Sequence, residues 1–187
     1  MLEDVERALQ VLGEGGVILY PTDTIWGIGC DATNEEAVQR VYGIKKRRDQ
    51  KSLIILVDSE SMLNQYTRQV PEKALELVRI SDKPLTVIYP GAVNLASNLM
   101  AEDGSIGIRI VRDPFCSTLI KKFGKAIVST SANISGQPWP LSFSYINNEI
   151  KEAVDYIVAL RQKEPSGAKP SGIIKVETDG SITIIRE

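Results

Sequence analysis

GVILYPTDTIWGIG, residues 16–29, is the stretch from which the fold can be read. Gly16 to Tyr20 is a short continuous apolar run with Gly15-Gly16 before it and Pro21 after it, the pattern of a strand buried on both faces. The remainder predicts a glycine-rich loop through Gly29, carrying Thr22, Asp23 and Thr24 away from the strand end. Turns of this kind bring backbone amides close to ligands. They also occur as plain strand-to-loop connections in which such side chains bond their own backbone.

Outward from this stretch the pattern alternates. Upstream, Val5, Ala8, Leu9 and Leu12 recur at helical spacing and predict an amphipathic helix closed by Gly13. Downstream, Ala37, Val38, Val41 and Tyr42 mark another helical face, with Thr33 or Asn34 as N-cap and Glu35-Glu36 in the first turn. Leu53 to Val57 predicts a second buried strand, and Pro71 to Val78 a helix begun by proline in its first turn. Further strands are expected at 85–89, 106–110, 126–130, 156–159, 173–176 and 182–185. Strands and helices alternate through the first two-thirds, and the end is rich in strands. The expected fold class is therefore α/β, an open twisted mixed parallel and antiparallel sheet with flanking helices. The Pro-, Gly- and Ser-rich stretches 136–144 and 163–172 read as loops.

Composition narrows the function classes. A chain of 187 residues with 43% hydrophobic side chains suits one domain with a real core. A net charge of -2 argues against a surface built throughout to neutralise nucleic-acid phosphates. Two cysteines without C-x-x-C spacing suggest neither a disulfide framework nor a zinc site. The acidic N-terminus and the absence of a bilayer-length apolar run predict a cytoplasmic protein without a membrane partner. Histidine is absent, so the commonest general base and metal ligand is unavailable, and no protein side chain is assigned to a metal.

Two further segments could carry chemistry. Lys45 to Leu53, KKRRDQKSL, places five cations within seven residues between a helix end and a strand. Such a run is either a solvated face or a polyanion cradle in which Arg supplies a planar fork and Lys a mobile charge. Ser129 to Gly136, STSANISG, clusters hydroxyls and an amide at a strand end, either as a polar turn or as a positioner of phosphate oxygens or an amino-acid head group. Arg109, in the apolar run GIRIV, needs a buried or ligand partner. Ser171 follows a flexible stretch suited to closing on a ligand. Neither a P-loop nor a G-x-G-x-x-G fingerprint is present.

Taken together and in order, the three segments resemble the YrdC-like family of threonylcarbamoyl-AMP synthases. The pattern P-T-[DE]-T-x-[YW]-G-[IL]-G stands at Pro21 to Gly29, with Trp26 in place of the more usual tyrosine. K-x-R-x(5)-L stands at Lys45, Arg47 and Leu53, and S-x-S-A-N-x-S-G at Ser129 to Gly136. The similarity extends through KPLTVIYPG and SIGIRIV to Pro170-Ser171, where Gly172 stands in place of a further hydroxyl of the longer forms.

The resemblance implies a single YrdC-like domain over 1–187, without the additional C-terminal domain of longer members, and a positively charged concave face. It implies formation of threonylcarbamoyl-AMP and pyrophosphate from L-threonine, bicarbonate and ATP, with Mg2+ carried by ATP. The product would pass to tRNA-modification proteins, and the basic face could meet tRNA or double-stranded RNA. By position, Lys45 and Arg47 fall to the reaction and the ATP phosphates, and Lys51, Ser105, Ser131 and Asn133 to ATP. Thr22, Arg109, Ser129 and Ser171 fall to threonine. Alternatives are a YrdC-like paralogue with another acceptor and an RNA-binding module.

Overall fold

The computed structural model describes residues 1–46, 53–164 and 169–187. The chain opens with α1 (Leu2–Gly13), followed by β1 (Ile18–Tyr20), β2 (Gly27–Gly29) and α2 (Glu35–Ile44). Next come β3 (Ile54–Val57), the short α3 (Glu60–Leu63), α4 (Glu72–Ile80), β4 (Leu85–Tyr89) and β5 (Ile106–Ile110). The remainder comprises α5 (Pro114–Phe123), β6 (Ile127–Ser131), α6 (Asn148–Ala153), β7 (Tyr156–Ile157), β8 (Gly172–Val176) and β9 (Ile182–Arg186). Among the described residues the strands form one sheet in the order β7-β1-β2-β6-β3-β5-β4-β8-β9. Three pairs are parallel (β1/β7, β3/β5 and β4/β8) and the other five antiparallel, so the expected mixed sheet is what forms.

The segment expected to be a loop through Gly29 contains β2, which returns antiparallel on β1 and then pairs with β6. Its glycines read as loop formers, but Gly29 is there for close packing. A Cβ at this position would stand 2.4 Å from the Val128 carbonyl oxygen and 2.7 Å from the Tyr20 ring. The buried Tyr20 hydroxyl donates to that same carbonyl at 3.1 Å. β6 is the join of the sheet, its C-terminal residues facing β2 while Ile127, Val128 and Ser129 face β3.

Local signals explain most helix ends. Asn34 caps α2 by accepting from the Ala37 amide at 3.0 Å. Pro71 is the cap of α4 and precedes its first residue. α5 was not anticipated, although Asp113-Pro114 starts it with a side-chain cap and a proline at the first position, and Gly124 ends it at φ 73°. The strand expected at 156–159 is reduced to two residues, because beyond Ile157 the Ala159 amide turns to the Asp4 carboxylate.

Register divides the sheet into two unlike faces, since side chains alternate along a strand and cross-strand partners share a face. Ile28, Thr130, Val128, Ile55, Ile108, Val87 and Ile174 stand on one. All but Thr130 are apolar and buried, and this is the core side. α1 packs on β1, β7 and α5, and α5 packs on β3. On the other face the same ladders place Ser129 and Ser131 of β6, Ile54 of β3, Arg109 of β5, Thr86 of β4 and Arg186 of β9. Polar side chains from four strands, β6, β5, β4 and β9, thus converge on this face beside Ile54 of β3.

Candidate active site

A cleft of about 280 Å³ lies on that face, and Arg109, Ser129, Ser131 and Ser171 all line it. Each arrives by a different route. Arg109 sits in the middle of β5 and is only 3% exposed. Its guanidinium approaches the Asp23 carboxylate at 3.0 Å, and its Nε has no hydrogen-bond acceptor among the described residues. Ser171 precedes β8 and is locked there by a 2.8 Å hydrogen bond with the buried Thr86 hydroxyl. Ser129 lies beside Gly27, where a Cβ would come within 3.2 Å of the Ser129 hydroxyl and 3.6 Å of the Thr22 methyl. Glycine at that position brings β2 against the two hydroxyl-bearing residues.

Thr22 itself is spent on its own turn. Its Oγ1 accepts from the Thr24 amide at 3.0 Å and donates to the Ile25 carbonyl at 2.8 Å, while Thr24 and not Thr22 lines the cleft. The turn is also held from outside. The Arg161 guanidinium donates to the Thr22 carbonyl at 3.1 Å and to Asp113 at 3.0 Å, and the Cys116 thiol donates to the Pro21 carbonyl at 3.4 Å. Burial pushes the Cys116 thiol well above its ordinary pKa, so it packs as a neutral group.

Lys45 opens the basic run but is buried at 3% exposure. Its Nζ donates to the Ser131 carbonyl at 2.6 Å and the Asn133 carbonyl at 2.9 Å, and its own carbonyl accepts from the Ser135 amide at 2.8 Å. The end of α2 and the STSAN segment are therefore one unit, a cation wrapped by backbone carbonyls. Asn133 donates to the carbonyls of Ile134 and Gln137, which leaves its buried Oδ1 without a donor among the described residues. Ser105 stands apart from the cleft lining, with its hydroxyl and amide both given to Asp103. Arg47 and Lys51 lie outside the described residues.

The cleft also takes in residues that sequence reasoning did not single out. Arg186 comes from β9, and its Nε donates to the Ser171 carbonyl at 3.0 Å. Its pKa is lowered, by burial first and then by the neighbouring positive charge of Arg109. Two like charges that repel across one cleft favour an anion between or beside them. The pairing of β9 with β8, which sets Arg186 opposite Ile173, brings the last strand to the site, and nothing in ITIIRE announces it. Trp139, 45% exposed, stands at the rim. A large aromatic in a Gly/Pro/Ser loop was the available signal.

Fold and site together define a class: open α/β-sheet proteins that present a small cationic, hydroxyl-lined cleft on one face of the sheet. The family model Sua5/YciO/YrdC, described as telomere recombination, matches residues 10–187. The chain belongs to that family. It is 34% identical over 174 residues to the threonylcarbamoyl-AMP synthase of Pseudoalteromonas translucida, covering 90% of this chain and 91% of that protein. It is 32% identical to the one from Vibrio campbellii, covering 95% and 96% respectively. Among solved structures, P. abyssi Sua5 complexed with L-threonine superposes with a TM-score of 0.85 at 25% identity, over 97% of this chain and 53% of the other. This chain thus spans about half the length of that Sua5. E. coli YciO superposes with a TM-score of 0.84 at 25% identity, over 98% of this chain and 88% of its own.

Proposed function

We propose that this chain is a cytoplasmic L-threonylcarbamoyladenylate synthase, a nucleotidyltransferase that joins L-threonine, bicarbonate and ATP into threonylcarbamoyl-AMP and pyrophosphate for tRNA modification. The observation that carries the reading is the Arg109 guanidinium, which is buried on the cleft wall with its Nε unsatisfied among the described residues. A guanidinium on the cleft wall that its own carboxylate partner meets at one terminal nitrogen keeps N–H donors for the carboxylate of an amino acid. The naming of the relatives points the same way.

In this reading threonine lies against Arg109, Ser129 and Ser171, with Thr22 shaping the turn beneath. ATP meets Lys45, Ser131 and Asn133, together with Ser105, Arg47 and Lys51. The amine nitrogen of threonine bonds to the carbon of carbon dioxide released from bicarbonate and gives up a proton. A carbamate oxygen then attacks the α-phosphorus of ATP, the bond to the β-phosphate oxygen breaks, and pyrophosphate leaves. The protein contributes position and positive charge, which hold two anions together.

Mg2+ would arrive on ATP and neutralise phosphate charge. Among the described residues no group of three acidic, histidine or cysteine side chains could hold a metal, and the cleft wall carries no carboxylate. The ion's ligands would therefore come mainly from phosphate and water. No helix among the described residues is long and apolar enough to cross a membrane.

The deciding measurement is pyrophosphate release from ATP by the purified protein, with threonine and bicarbonate omitted in turn. Release is expected only when both are present. Release indifferent to threonine would point instead to a paralogue with another acceptor, and no release with tight RNA binding to an RNA-binding module.

A further inference from the structure

The Asp23–Arg109 contact has a form that ion-pair stabilisation alone does not account for. Arg109 lines the cleft, whereas Asp23 does not; it lines a separate recess of about 150 Å³ flanked by Leu85 and Ile110. The carboxylate therefore reaches the guanidinium from outside the cleft. The approach is to a single terminal nitrogen at 3.0 Å, with side chains 4% and 15% exposed for Arg109 and Asp23. Neither Arg109 Nε nor Asp23 Oδ1 completes an aligned hydrogen bond among the described residues.

A pair kept for stability recovers the desolvation of both charges through a bidentate, fully bonded fork. This pair does not. It restrains one terminal nitrogen of a guanidinium that lines the cleft and leaves the enclosed Nε unbonded among the described residues. Asp23 itself is anchored by its turn, because Thr22 and Thr24 close a local hydrogen-bond ring around it and Arg161 ties that turn to Asp113.

We propose that Asp23 is a positioning residue for substrate recognition: its carboxylate sets the orientation in which Arg109 presents its guanidinium to the carboxylate of the amino-acid substrate. This rests on the proposed reading that Arg109 receives that carboxylate. The effect is expected on the amino acid, because among the described residues Asp23 is paired with Arg109, whereas Lys45, Ser105, Ser131 and Asn133, which meet ATP in that reading together with Arg47 and Lys51, have other partners. Orientation of a charged fork by a neighbour is worth a coupling that isolated substitutions exaggerate or conceal, so a double-mutant cycle is the appropriate readout.

The experiment is calorimetric titration of L-threonine and, separately, of ATP into the purified full chain. The variants are Asp23→Asn, Asp23→Ser, Asp23→Glu, Arg109→Lys and the double variant Asp23→Asn with Arg109→Lys, each checked for folding by circular dichroism. In Asp23→Asn and Asp23→Ser, threonine binding weakens about tenfold while ATP binding changes by less than about twofold, and Asp23→Glu recovers part of the loss. In the Arg109→Lys background, Asp23→Asn has no further effect.

Unchanged threonine affinity in a folded Asp23→Asn or Asp23→Ser protein overturns the proposal, as does an equal loss in the Arg109→Lys background. Failure of both the Asn and Ser variants to fold would assign Asp23 to stability and also overturn it. A wild-type chain that binds ATP but no threonine overturns the proposed function and this inference together. Normal wild-type threonine binding beside an unaffected variant overturns this inference alone.

Discussion

Lys45 shows how far a single residue's meaning depends on where the chain puts it. In sequence it is the first of a basic run, and a solvated face was one fair reading. In the fold it is enclosed, and its ammonium group bridges two carbonyls of the STSAN segment. Lys45→Met keeps the apolar stem but leaves both carbonyls without this donor. Pyrophosphate formation should fall by at least about a hundredfold, more than the change in thermal midpoint would explain. Gly29 makes the complementary point: Gly29→Ala drives a methyl into the Val128 carbonyl and the Tyr20 ring. Urea unfolding should register a loss of about 3 kcal/mol, the upper part of the usual cost of overpacking.

At the scale of elements, α5 and β8 each depend on one carboxylate. Asp113 caps α5 through the Cys116 amide at 2.8 Å and also receives Arg161. Asp113→Ala should cost about 2 kcal/mol in chemical unfolding, at the high end for a lost cap because a second contact goes with it. Asp103 joins the loop before β5 to Lys175 of β8 at 2.8 Å. Lys175 first, and the Ser105 hydroxyl next, hold its carboxyl down to about 2 from an ordinary value near 3.8. A folded-state value below the unfolded one contributes stability that is present above the unfolded value and lost as pH falls toward the folded one. The wild-type chain should therefore lose stability between about pH 4 and pH 2, and Asp103→Asn should flatten part of that fall. The pair is partly exposed, so solvent screening keeps the effect small.

The whole molecule creates the charge of the site. Arg109 and Arg186 lie far apart in the chain and meet only because β9 pairs with β8, β8 with β4 and β4 with β5. A net charge of -2 for the whole chain gives no hint of this local excess. Inorganic tripolyphosphate should raise the thermal midpoint of the wild type by roughly 2–4 °C when present well above its dissociation constant, since it binds only the folded state. Arg186→Ala should retain the fold, because that strand lies on an exposed edge, and should lose most of the shift.

Some of this was legible in the linear pattern because its causes are local. Runs such as GVILY and LIILV read as buried strands, periodicity placed α1 and α2, Pro71 marked the start of α4, and alternating elements followed by a strand-rich end pointed to a mixed sheet. The three polar segments stood at strand ends, and their order carried the family resemblance. The rest needed partners remote in sequence. That GIG is a packed strand followed from the Val128 carbonyl lying against Gly29, and α5 could have been found from Asp113-Pro114 and Gly124. Sheet order, by contrast, rests on the packing of one face as a whole. The sequence by itself determined most of the strand segments, β2 excepted, and which segments would carry polar groups. Only the tertiary structure decided that Arg109, Ser129, Ser171 and Arg186 line one cleft, because strand register is set by collective burial of the opposite, apolar face and not by any residue's own preference.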